Sequence, residues 1–96
     1  VLDAIRFIRQ IPACTPEDAC VTLRGIVRKM QPDERKQLST LAMAYTDYVR
    51  AVVGAMLDEV GDTDTAALNR SLNVASTYKI GLSDDALPNR KKWRVQ

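Results

Sequence analysis

The chain has 96 residues, 46% of them hydrophobic, enough for one compact core and too few for two. Its formal charge is only +2 and it contains no histidine, so the commonest general base and metal ligand is missing. No run of eighteen apolar residues occurs, and Asp3, Arg6, Arg9, Glu17, Asp18 and Arg24 punctuate the start, so neither a membrane span nor a signal peptide is expected.

Runs of β-branched and aromatic residues with a period of two are almost absent, and apolar positions recur instead with helical spacing, which predicts an all-α fold. Leu2, Ile5, Ile8 and Ile11 predict a short first helix stopped by Pro12. Thr15 suits an N-cap, Pro16 the first helical position, and Glu17 and Asp18 the positive end of the helix dipole, so a second helix is expected from Pro16. Its apolar stripe is Cys20, Leu23, Ile26, Val27 and Met30. Gln31 and Pro32 break the pattern, Asp33 and Glu34 open a third helix, and Leu38, Leu41, Ala42 and Tyr45 give it a stripe. The short connection makes helices two and three an antiparallel hairpin.

Thr46 or Asp47 can cap a new helix, and Val49, Val52, Val53, Met56, Leu57 and Val60 form the strongest periodicity in the sequence, stopped by Gly61 and Asp62. This fourth helix is expected at the centre of the core. Thr63 or Asp64 can cap a fifth through Ala66 to Leu72; residues 77–81 read as irregular, and Ser83 can cap one more turn before Pro88. The expected architecture is a compact bundle of about five short helices over residues 1–88, part of a longer protein, followed by a basic tail at 89–96. Residues 1–88 carry ten Lys or Arg against twelve Asp or Glu, whereas Arg90, Lys91, Lys92 and Arg94 concentrate positive charge at the end.

No catalytic or metal-binding set is legible, and no cofactor is expected. Cys20 lies on a core stripe and Cys14 in a loop without a visible base; both are expected to be reduced thiols. The acid pairs Asp33–Glu34 and Asp84–Asp85 open helices or turns, and Asp58–Glu59 and Asp62–Asp64 surround the Gly61 turn, so all read as solvated capping acids. No glycine-rich phosphate loop is present. Helix four carries a single cation, Arg50, and is too apolar for the recognition helix of a helix-turn-helix. Two readings of the tail stay open. Arg90, Lys91, Lys92, Trp93 and Arg94 interleave cations with an indole, a mixture that attracts phosphates and stacks on bases; alternatively Trp93 and Val95 dock on the bundle while the cations stay in water.

Leu41 to Tyr45, Tyr48-Val-Arg-Ala-Val-Val-Gly-Ala-Met-Leu-Asp-Glu-Val-Gly61, Leu68 to Asn73, Thr77-Tyr-Lys-Ile-Gly-Leu82 and Leu87-Pro88, taken in order, form a wider pattern. It resembles the helical C-terminal domain of AbiEi-like antitoxins, the regulator halves of bacterial abortive-infection type IV toxin–antitoxin systems, over residues 40–94. The chain departs from that pattern at Thr46 and Asp47, which replace a proline-rich helix start, and at Val74, which replaces a proline. The resemblance implies a preceding winged helix-turn-helix that binds promoter DNA, and a C-terminal domain that counters or partners a nucleotidyltransferase toxin encoded nearby.

The expected function is therefore a cytoplasmic, non-enzymatic interaction domain of a transcriptional regulator. Tyr78, Lys79, Ile80 and Leu82, which mix an aromatic, a cation and apolar residues, are its candidate partner contacts. The alternatives are a nucleic-acid-binding module working through the basic tail, and a homo-oligomerisation module using surplus apolar surface on helix four.

Overall fold

Caps and breakers set where the helices begin and end. The computed structural model describes residues 2–6, 15–72, 76–79 and 81–96, and five helices form among them. These are α1 (Leu2–Arg6), α2 (Pro16–Lys29), α3 (Pro32–Ala42), α4 (Asp47–Val60) and α5 (Ala66–Arg70). The Thr15 hydroxyl accepts from the Asp18 amide at 3.1 Å and starts α2. Glu34 reaches back to accept from the Gln31 amide at 2.9 Å and so fixes the start of α3. Gly61 ends α4 in the left-handed conformation, φ 85°, with its amide donating to the Leu57 carbonyl at 3.1 Å. Ile8, Ile11 and Pro12, the second half of the expected first helix, and Cys14 lie outside the described residues.

The expected all-α architecture is present, with α4 at its centre. Every residue from Ala51 to Leu57 is buried, and α1, α2, α3 and α5 all pack against this helix. A helix apolar on every face needs cover on every face. The helices supply part of that cover, and residues 81–96 supply more: Leu82, Ala86, Leu87, Trp93 and Val95 are all buried. The Val-rich α4 is thus covered by its own chain, which removes the reason for expecting it to seek a second copy.

Two stripes are rotated relative to the sequence expectation. In α3 the inward set is Arg35, Leu38 and Ala42, which leaves Leu41 60% exposed; in α2 Ala19, Cys20, Leu23 and Val27 face inward and Ile26 stays 46% exposed. Arg35 explains the first shift. Its guanidinium pairs with Asp62 just beyond α4, with Nε 2.9 Å from Oδ1, and donates to the carbonyls of Val27 and Met30 at the end of α2. One buried cation therefore ties three helices together, and the inward face of α3 turns to accommodate it. Arg24 performs a similar task between α2 and α4. It forms a forked pair with Glu59, Nε to Oε2 at 2.6 Å, and also donates to the Asp85 carbonyl at 2.9 Å. Among the described residues no helix is long and apolar enough to cross a membrane.

Candidate functional site

Of the two readings of the basic tail, docking of Trp93 and Val95 on the bundle is the one present: the segment is built into the fold. From Ser83 onward the chain runs through successive turns: Leu87 N–H to Ser83 C=O at 3.1 Å, Arg90 to Leu87 at 3.1 Å, and Trp93 to Asn89 at 3.3 Å. These turns carry Trp93 onto α4 at Gly54. A Cβ at Gly54 would lie only 2.6 Å from Cη2 and 2.7 Å from Cε3 of the indole, so the glycine provides the notch in which the ring sits. The indole N–H donates to Asp58 Oδ2 at 3.1 Å, and Lys92 Nζ approaches the same oxygen at 2.8 Å. The Lys92 ammonium, assisted by the indole N–H, holds the Asp58 carboxyl below the usual carboxylate range despite the opposing effect of partial burial.

Arg94 then takes a left-handed conformation, φ 61°, and turns the chain back. Val95 forms a parallel bridge with Tyr78: Tyr78 N–H donates to Arg94 C=O at 2.7 Å and Gln96 N–H to Tyr78 C=O at 2.8 Å. The Gly81 amide adds a bond to the Gln96 carbonyl at 2.8 Å. At its other end the strap is fastened to α2. Glu17 Oε1 accepts from the Ser83 amide at 3.1 Å, and the buried Cys20 thiol donates to the Ala86 carbonyl at 3.6 Å. Hydrogen bonds from Ser83 hold Glu17 below its ordinary pKa, and burial pushes the Cys20 thiol up to about 11. Such a thiol is protonated and inert.

The strap sorts the four expected nucleic-acid cations onto different sides. Lys92 turns toward Asp58 on α4, while Arg90, Lys91 and Arg94 line a cleft of about 300 Å³ with Ser76, Thr77, Val95 and Gln96. Arg90 Nε lies 2.8 Å from Asp84 Oδ1, close enough for an ion pair although its N–H is not aimed for a hydrogen bond. Lys91 is exposed. Trp93 is fully buried and its polar edge is engaged by Asp58, so stacking of this indole on a base is ruled out by its packing against Gly54.

The expected partner contacts also divide. Lys79 is exposed and Tyr78 half-buried at the bridge, whereas Leu82 is 5% exposed and belongs to the core, which removes it as a contact residue. Ile80 lies outside the described residues. What sequence reasoning missed is that Tyr78–Lys79 and Arg90–Arg94, treated as separate features, are neighbours on one surface. It also missed the roles of Arg24 and Arg35, since an arginine that crosses between helices leaves no periodic trace. The acids read as solvated caps include Asp58, Glu59 and Asp62, each of which is engaged by a cation from another element. Arg24 holds Glu59, and Arg35 holds Asp62, below the usual carboxylate range.

Among the described residues no group of three or more cysteines and carboxylates is arranged to hold a metal ion. The remaining surface features are modest. Val21 and Ile26 on α2 and Leu41 and Met43 at the end of α3 are the exposed large hydrophobic residues described, and Leu41 lines an open groove with Lys36, Gln37 and Thr40. No protein-family model matches the chain, and neither a curated protein nor a solved structure matches it.

Proposed function

We propose that this chain is the partner-binding domain of an antitoxin-like bacterial transcriptional regulator, acting in the cytoplasm through protein contacts rather than by catalysis. The observation that carries the reading is the meeting of Tyr78–Lys79 with Arg90–Arg94. Two segments that are not contiguous in sequence are held edge to edge by the Tyr78–Val95 bridge and present Thr77, Lys79 and Lys91 outward. A surface fixed in this way loses little conformational freedom on binding, which favours recognition by preformed contacts. The resemblance to AbiEi-like C-terminal domains names the class of partner, a nucleotidyltransferase-like toxin.

The reading is tested by co-expressing the chain with the product of the adjacent gene and passing the lysate over an affinity tag on either protein. A complex that survives gel filtration, and that Lys79→Glu together with Lys91→Glu weakens by about tenfold or more, is the expected result. Failure of any nucleotidyltransferase-like neighbour to co-elute with the unaltered chain rejects the proposal.

A further inference from the structure

Arg90, Lys91 and Arg94 reach one cleft because the turns that carry them place these positions on the same side, with Lys92 drawn to the other side by Asp58. The rest of the lining adds donors: the hydroxyls of Ser76 and Thr77 and the side-chain amide of Gln96. Among the described residues no carboxylate side chain lines the cleft. Three cations and three neutral donors around one small opening are suited to oxyanions.

Size and surroundings decide which oxyanions. A volume of about 300 Å³ accommodates one or two carboxylate side chains. Beside it stands Asp84, exposed on the preceding turn and already paired with Arg90. A continuous phosphate chain would have to pass this acid at a cost in repulsion, whereas a short peptide can end before reaching it. Trp93 offers no stacking face, which removes the second component of single-strand recognition.

We infer that the cleft between residues 76–77 and 90–96 is a receptor for a short acidic segment of a partner protein, seating glutamate or aspartate side chains against Arg90, Lys91 and Arg94. This deepens the reading proposed above and rests on it for the identity of the partner, while the site itself is defined by its lining. Lys91, exposed and at the mouth, gains most from an incoming carboxylate. Arg90 is already partly neutralised by Asp84 and acts as an oriented donor.

The test is a titration of the ¹⁵N-labelled 96-residue chain with three probes at near-physiological salt: a capped hexaglutamate peptide, its hexaglutamine counterpart and a short mixed-sequence DNA duplex. Saturable shifts of the Ser76, Thr77, Lys91 and Arg94 amides with hexaglutamate alone are expected, with affinity reduced about tenfold in Lys91→Glu. Unchanged Trp93 fluorescence in that variant confirms that the strap is still docked. No saturable response to hexaglutamate overturns the inference, and so does a stronger response of the same amides to the duplex. The two proposals fail separately. A toxin complex unaffected by Lys91→Glu, with no peptide binding, defeats the cleft and leaves the partner; peptide binding with no toxin complex defeats the partner and leaves the cleft.

Discussion

Gly54 and Trp93 show how one missing side chain organises the C-terminal fifth of the molecule. A glycine in the middle of a helix costs about 1 kcal/mol relative to alanine, so on propensity alone Gly54→Ala should stabilise α4. Here the added methyl would occupy the space of a fully buried indole, and overpacking of this kind costs about 1–3 kcal/mol. Net destabilisation is therefore expected, visible as a lower urea midpoint and a red-shifted emission from Trp93, the only tryptophan in the chain. Equal stability with unchanged emission would disprove the close approach. Trp93→Ala should cost about 3–5 kcal/mol, a large part of the 5–15 kcal/mol typical of a whole domain. Cys20 offers an independent check on the same strap. Its thiol is buried, raised to about 11 and bonded to Ala86, so peptide mapping after brief alkylation at mildly alkaline pH should find it unmodified in the native state and labelled in denaturant. Rapid native labelling would mean that the strap opens readily.

Between elements, arginines that leave one helix to meet a carboxylate at or beyond the end of another hold the bundle together. Asp58, Glu59 and Asp62 all have folded-state pKa values below their ordinary ones, so each adds stability above the usual carboxylate range and loses it as pH falls through the depressed value. The sign follows directly: the unfolded chain binds protons first, starting near about pH 4, and is favoured by acid. Urea midpoints should hold steady from neutral pH to about pH 5 and fall below about pH 4. Glu59→Gln should be less stable at neutral pH and show a shallower decline; an unchanged slope would show that the Arg24 pair contributes nothing. Helix boundaries set by caps were legible in the sequence because a cap is local: Thr15 and Gly61 act on residues three or four positions away. The inward face of α3 was not, because Arg35 turns it toward Asp62, a partner 27 residues distant whose position depends on α4 already being in place. The fate of the tail was half legible. Its composition allowed either docking or exposure, and the deciding feature, a helical glycine facing the indole, is a relation between residues 54 and 93.

At the scale of the molecule, residues 89–96 are anchored in the hydrophobic core through Trp93 and Val95 rather than hanging from it as an appendage, which changes what truncation means. A chain ending at Pro88 lacks both Trp93 and Val95 and leaves the Gly54 notch open. It should unfold with a broad, weakly cooperative transition and expose apolar surface to dyes such as ANS, so loss of binding by such a chain is no evidence about which residues touch a partner. A sharp transition near that of the full chain would contradict this. Point changes at Lys79 and Lys91, both exposed, are the sound way to probe the surface. The same closure bears on the order of synthesis. The central helix is synthesised before the tryptophan that seals it, so during translation its notch and its valines stand uncovered, and the nascent domain stays open to chaperones and proteases until the segment that carries Trp93 has been made and docked.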